Sequence, residues 1–381
     1  MLKESSQGRS ANQVSPTYGA VTPSAQKESI ALDFFAGSGL VSLALKPFFA
    51  IGWANDICVK KAVVYQLNHP KDHFVLGPIE RVQGQTLPPS TLSWASFPCQ
   101  DLSLAGNLAG IESGRSGLVW HWLRVMDEMA VYPPIVVAEN VVGLISAKKG
   151  EHYRRLHTAL VERHYRVGAL VIDAVNWVPQ SRPRIFVIGV QEGISTVNLE
   201  DEWPNWAHPS AVQRVAEALP AWVWWRLPRP RSARKSLENI IDFTAPCDSP
   251  DKRAHNLSLI PPHHMQRMKR YVEAGIRVFP GYKRTRQGRQ VLELRFDGIA
   301  GCLRTPEGGS SRQFIVLWLN GRFEIRLLTV REIALLMGAG KSYKLPGSYN
   351  DGYKAMGDAV AVTAATHLAR YLLAPLAARI R

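Results

Sequence analysis

The chain has 381 residues, with 46 Lys and Arg against 31 Asp and Glu, a formal charge of +15. That length supports a full hydrophobic core in two or three domains, or in one large domain with an insertion, and the positive balance favours a polyanionic partner such as nucleic acid. No run of about 18 uninterrupted apolar residues argues for a membrane span, and Cys58, Cys99, Cys247 and Cys302 show neither a CxxC pair nor zinc-type spacing with His, against a disulfide framework or metal site and in keeping with a reducing cytoplasm.

Met1 to Glu28 is rich in Ser, Gln, Ala and Gly, lacks an apolar signal core, and reads as a mobile leader. Structure is expected to begin at Ser29 to Phe35, an apolar run of the buried parallel-strand kind. The run breaks into Ala36-Gly37-Ser38-Gly39 and resumes with helical spacing through Leu40, Leu43 and Ala44. Strand, glycine turn and helix in that order let a ligand approach the backbone at a helix N-terminus, the arrangement of a doubly wound nucleotide site. A second strand, Ala50 to Ala54, ends in Asn55-Asp56, where a carboxylate can hold ribose hydroxyls. A helix from Val59 to Leu67 follows.

The strand Leu92 to Ser96 runs into Phe97-Pro98-Cys99-Gln100. A thiolate needs a lowered pKa and an open path, so a nucleophilic cysteine suits a strand end among polar groups. Cys99 then shares the sheet edge with the glycine turn, where open α/β sheets bind ligands. Asp101 to Ser116, rich in Gly and Ser, reads as a long loop able to act as a lid. A helix from Leu118 to Met129 leads to the strand Ile135 to Ala138, ending in Glu139-Asn140-Val141. A carboxyl there, raised in pKa by burial, can serve as a general acid. After a helix Tyr153 to His164 and a strand Val167 to Ile172, Gln180-Ser181-Arg182-Pro183-Arg184 precedes the strand Ile185 to Val190. Arginines at alternate extended positions face one way, so Arg182 and Arg184 are expected to reach one ligand together.

From about Gln191 tryptophans and prolines alternate, then Arg226 to Lys235 adds a basic run, which reads as linker and second-domain entry. The tryptophans are assigned to a small core rather than to base stacking. Leu259 to Ala274 reads as a basic helix, and Arg277 to Arg295 as basic loops between short strands, suited to phosphates and guanine edges. Thr329 is the expected N-cap of a helix, with Glu332 completing a capping box. Gly357-Asp358-Ala359-Val360 opens a long apolar helix expected to pack back on the first sheet.

The ordered set of Asp33-Phe34-Phe35-Ala36-Gly37-Ser38-Gly39, Phe97-Pro98-Cys99-Gln100, Glu139-Asn140-Val141, Gln180-Ser181-Arg182-Pro183-Arg184, Thr329-Val330-Arg331-Glu332 and Gly357-Asp358-Ala359-Val360 resembles the DNA cytosine-5 methyltransferase family of bacterial or phage type. The resemblance implies an α/β fold, a doubly wound Rossmann-like sheet with a second, smaller target-recognition domain. It divides the chain into a leader (1–28), a catalytic domain (29–194), a recognition domain (195–325) and a return segment (326–381). It implies S-adenosylmethionine as cofactor, held by Phe35, Ala36, Gly37, Gly39, Asp56, Ile57, Ile79, Pro98, Asp358 and Val360. Cys99 would add to carbon 6 of a flipped cytosine, Glu139 would protonate ring nitrogen 3, Arg184 would hold the base carbonyl and Arg182 would order the site. Double-stranded DNA would be the partner, contacted by Gln100, Ser103, Arg115, Arg284, Arg286, Gly308, Gly309 and Arg312, with a cognate restriction endonuclease as a genetic partner. The sequence departs from the family at Leu40, at Pro78 where many members place an adenine-binding Asp, at Asp358 where Asn is usual, and at Cys302, where Thr is common. The same fold acting on RNA, and a DNA-binding homologue without turnover, are the competing readings. A nicotinamide oxidoreductase would explain only the glycine turn.

Overall fold

The computed structural model describes residues 29–98, 117–231, 235–303 and 312–380. The expected leader, Cys99, Gln100, the expected lid segment with Ser103 and Arg115, and Gly308 and Gly309 lie outside the described residues. From the start, β1 (Ile30–Phe34), α1 (Leu40–Leu45), β2 (Ala50–Asp56), α2 (Val59–Asn68), β3 (Phe74–Leu76) and β4 (Leu92–Ala95) alternate. After α3 (Leu118–Asp127) come β5 (Ile135–Val141), the short α4 (Gly143–Ser146), α5 (Glu151–Val161), β6 (Tyr165–Asp173) and β7 (Pro183–Gln191). The strands form one seven-stranded sheet in the order β3-β2-β1-β4-β5-β7-β6. Strand β7 is antiparallel to both neighbours, so β6 runs parallel with β5 and the rest.

The strands are near-continuous apolar runs because both sheet faces are covered. Ala31, Trp94, Val137 and Ile188 point into one core layer, while Leu32, Ala95, Val136 and Val187 point into the other. Period-two alternation thus feeds two layers rather than one core and one wet face. The fifth strand runs past Ala138, where the sequence pattern ended it, because Glu139, Asn140 and Val141 keep their pairing with β7. Glu139 therefore stands in the ladder, not in a loop.

The tryptophan-rich stretch does not leave the large sheet at position 195. β8 (Glu200–Asp201), α6 (Ser210–Ala216) and β9 (Trp224–Trp225) lie along it. Val167 N–H donates to Ala221 O and Val223 N–H to Val167 O, both at 2.9–3.0 Å, and the fully buried Trp225 donates its indole N–H to Ile188 O. The expected linker thus extends the first core, and Gly168 permits it, since a Cβ there would sit 2.0 Å from Val223 O.

The second unit begins with α7 (Pro250–Ser258) and α8 (Pro262–Glu273), followed by β10 (Val278–Arg286), β11 (Arg289–Leu294), β12 (Gln313–Leu319) and β13 (Arg322–Leu327). These strands form an antiparallel sheet in the order β11-β10-β12-β13. Both hairpins turn on two residues with positive φ, Gln287-Gly288 and Asn320-Gly321, whose twist matches the flanking strands. Met268 of α8 packs with Phe279, Leu292 and Val316 on one face. Val278, Ile315 and Leu317 on the other face join the main core.

The return segment holds α9 (Val330–Leu336), α10 (Tyr349–Gly357), α11 (Val362–Leu368) and α12 (Ala374–Ala377). Thr329 and Glu332 form the expected capping box. The expected long helix starts not at Gly357 but after a break at residues 358–361, and α11, a π turn at Ala369–Leu373 and α12 then follow one another without interruption, with α11 packed on α1. The run Tyr349–Ala377 is long and apolar enough by composition to cross a membrane, yet over half of its apolar window is buried inside the protein.

Candidate active site

The glycine turn leaves β1 through Phe35, which itself takes a left-handed conformation with φ of 59°. Gly37 (φ 56°) and Gly39 (φ 85°) continue it. At Gly39 a side chain would also strike His69 at 2.6 Å and Tyr65 at 2.8 Å, so this glycine is required twice over. The turn is tied to distant segments: Ser38 Oγ donates to Ala355 O at 2.8 Å, the Tyr343 hydroxyl donates to Ser38 O, and His69 Nε2 contacts Gly39 O at 2.9 Å. Under it Asp33 is fully buried, with one oxygen accepting from Ser42 Oγ at 2.6 Å and the other unpartnered among the described residues. Burial pushes the Asp33 pKa up to about 7, against the lowering effect of Ser42.

Asp56, expected at a ribose, sits at the end of β2 and accepts Gly37 N–H at 2.9 Å and Cys58 N–H at 2.8 Å. It thereby braces the turn, with lone pairs left for a ligand. Ile57 beside it is 68% exposed, an apolar side chain held in the open, while Ile79 is buried behind Pro78. Val360 is buried and Asp358 lies at the end of α10. Lys61, which the sequence pattern did not single out, donates to Asp358 at 2.9 Å. Burial opposes its charge, but Asp358, Asp56 and Cys58 outweigh burial and hold its pKa above the usual range. A lysine two residues into a helix that follows a strand-end carboxylate was the available signal.

Across the sheet edge, Glu139 is 6% exposed and meets Arg184, whose Nε lies 3.2 Å from Oε1. Burial raises the Glu139 pKa, against Arg184, Arg182 and a hydrogen bond from Ser96, which lower it. Next to it, Asn140 donates to Phe97 O at 2.9 Å and accepts from Val141 N–H at 2.8 Å. It fixes the strand end two residues before Cys99. Pro98 is exposed at that end.

Arg184 pairs with Glu139 while Arg182 turns to backbone carbonyls, although both guanidiniums act on the Glu139 charge. Arg182 lies before the first residue of β7, outside the regular ladder, and Gln180 bridges to Ala300 instead. Arg182 is 1% exposed and donates to Leu303 O at 2.8 Å, Gly357 O at 2.8 Å and Ala359 O at 2.6 Å. Burial lowers its pKa to about 10. Gln180 works alongside, donating to Leu336 O at 2.8 Å and accepting from Leu303 N–H at 3.2 Å. These two side chains join the large sheet, the small unit and the return segment. Nothing in local spacing distinguishes them from ligand-binding groups.

In the small unit, Arg284 and Arg286 stand on β10, on a strand rather than in a loop, and both reach Glu293, at 3.2 and 2.6 Å. Arg312 donates to Asn350 Oδ1 at 2.7 Å and lies over the Tyr349 ring.

The site thus pairs a glycine turn at one strand end with a buried carboxyl and a guanidinium at another. A model of the C-5 cytosine-specific DNA methylase family matches residues 30–374. The Type II methyltransferase M.HhaI of Haemophilus parahaemolyticus is 25% identical over 340 residues, covering 89% of this chain and 92% of that protein. M.Bsp6I of Bacillus sp. (strain RFL6) is 29% identical over 160 residues, 41% of this chain and half the length of that relative. Among solved structures, the S. pombe Dnmt2 methyltransferase aligns with a TM-score of 0.58 at 18% identity, covering 92% of this chain and 99% of that one. A putative DNA modification methyltransferase of an E. coli prophage aligns at 0.53 and 18% identity, over 93% and 99%. With the family model spanning most of its length, the chain belongs to the C-5 cytosine-specific DNA methylase family.

Proposed function

We propose that this protein transfers a methyl group from S-adenosylmethionine to carbon 5 of a cytosine in duplex DNA. The observation that carries the reading is the buried Glu139 carboxyl, raised in pKa and braced by Arg184, on the strand next to β4, whose end leads into Phe97 and Pro98. Cytosine carbon 5 is too electron-poor to attack an electrophilic methyl directly. Addition of the Cys99 thiolate to carbon 6, with the Glu139 proton passing to nitrogen 3, makes carbon 5 an enamine carbon able to do so. Once the methyl is on, the carbon 5 proton leaves, the thiolate is expelled and the nitrogen 3 proton returns to Glu139. Arg184 would hold the base carbonyl. A stacked base cannot be attacked from its face, so the cytosine must leave the helix.

The residues present suit the cofactor, which supplies the electrophilic methyl when bound. Exposed Ile57 beside Asp56 offers an apolar face and a carboxylate for an adenosine, and the turn at Phe35, Ala36, Gly37 and Gly39 allows close approach. Ile79, Pro98, Asp358 and Val360 complete the assignment. Pro78 has no side-chain carboxylate, so an adenine amino group would donate to a backbone carbonyl or to another side chain instead.

The charge of +15 and the cations of β10 favour duplex DNA. The relatives named Type II methyltransferases favour a modification role, with an endonuclease as genetic partner. The cytoplasm of a bacterial or phage-infected cell would supply both substrate and cofactor. The test is transfer of labelled methyl to unmethylated duplex DNA, with bisulfite sequencing to locate the product. Label in one recurring context is expected, and Cys99→Ala should abolish it while leaving DNA binding measurable. Turnover by that variant, or methylation of transfer RNA without duplex DNA, would overturn the reading.

A further inference from the structure

Resting on the duplex reading, we propose a second contact: a basic pocket between α4, α5 and α6 holds a backbone phosphate of the DNA, apart from the cytosine site. The pocket encloses about 530 Å³ and is lined by Ser146, Lys149, Arg154 and Arg214, with Glu217 as its one carboxylate. Apolar Ile145 and Val215 line it too. No ion pair joins Lys148, Lys149, Arg154 or Arg214 to a carboxylate among the described residues. Three cations facing one carboxylate leave an excess of positive charge suited to a phosphodiester.

The topology puts this pocket on the working edge of the sheet. Strands β4, β5 and β6 run parallel, so the connection from β5 into α5 emerges at the edge that carries Pro98 and Glu139. A duplex delivering a base to that edge must lay its backbone across neighbouring elements. The pocket is also held in shape. Lys148 (φ 45°) and Lys149 (φ 54°) both adopt left-handed backbone, which is strained for a non-glycine residue. Arg154 donates to Lys149 O at 2.7 Å, and Gly150 packs so closely on α6 that a Cβ would lie 2.8 Å from Val215. Strain of this kind persists where the surroundings fix it, and it collects at functional positions. Here it brings the two lysines out side by side with no carboxylate paired to either.

The experiment measures duplex affinity across a salt series for the full chain, for Lys149→Glu with Arg214→Glu, for Glu217→Gln, and for Lys71→Glu. Lys71 is an exposed control between α2 and β3, at the opposite sheet edge. The pair of reversals should flatten the slope of log affinity against log salt by about one and weaken binding roughly tenfold or more at low salt. Glu217→Gln should tighten binding, and Lys71→Glu should leave the slope unchanged. Equal slopes for the paired variant and the wild type, or for the paired variant and the control, overturn the pocket. Wild-type protein that binds no duplex overturns the duplex reading itself. Thermal unfolding of each variant separates lost contact from lost fold, and Glu217→Gln tests the pocket in the opposite direction.

Discussion

The glycine-turn edge of the large sheet and the cationic β10 strand of the small sheet differ in how their charges are held. At the first, Asp33, Asp56, Glu139 and Arg182 are nearly or fully buried, and backbone or side-chain groups satisfy most of their polar atoms. At the second, Arg284 and Arg286 are exposed and converge on one partner, Glu293. A buried group in a fixed lattice of bonds costs much to remove, whereas an exposed pair is screened and can exchange its partner for a phosphate. The first edge is built to hold one geometry and the second to adapt.

Breaking the buried side should give the larger effects. Glu139→Gln keeps the shape but removes the transferable proton, and methyl transfer is expected to fall by about 10²–10⁴-fold with cofactor binding retained; near-normal turnover would remove Glu139 from the acid role. Arg182→Ala leaves the carbonyls of Leu303, Gly357 and Ala359 buried without their donor, each costing about 1–3 kcal/mol before relaxation. A loss of about 3 kcal/mol or more by denaturant unfolding is expected. A smaller, pH-dependent effect should appear at Asp33. Its folded pKa of about 7 exceeds the ordinary 3.8, so the folded state holds a proton that the unfolded state has released. Stability should therefore fall as pH rises from about 4 through about 7, and Asp33→Asn should flatten that slope in thermal melts of cofactor-free protein. The smallest effects belong to β10: Arg284→Ala and Arg286→Ala should leave melting nearly unchanged and each reduce the salt slope of DNA binding by about one if the side chain meets a phosphate.

The same contrast explains what could be read from sequence. Apolar runs ended by the glycine turn, by Asn55-Asp56 and by Phe97-Pro98 identify β1, β2 and β4, and the Thr329-to-Glu332 spacing identifies a cap, because each is decided by neighbours in the chain. Glu139 is legible as a strand-end carboxyl, although the ladder that fixes it depends on β7, far ahead in sequence. Arg182 and Gln180 escape such reading. Their partners are carbonyls at Leu303, Leu336, Gly357 and Ala359, and no local period records a contact over that span. Lys61 is half legible: its place just after Asp56 is local, but Asp358, which completes its pair, is not. That pair also accounts locally for Asp358, whose extra charge relative to the family's usual Asn is matched by a lysine within reach. Trp225 was legible as a core residue, but whose core it joins depends on the tertiary course of β9 along the sheet.

The ties between the glycine turn and the return segment bear on how the protein is made. Ser38 waits on Ala355 and Tyr343, more than 300 residues downstream, for its hydroxyl and carbonyl partners. Until those residues are made, the turn between β1 and α1 lacks both of these partners. The turn can then close only once residues 343–355 have cleared the exit tunnel, so that an interrupted translation product carries Cys99 but not the finished glycine turn.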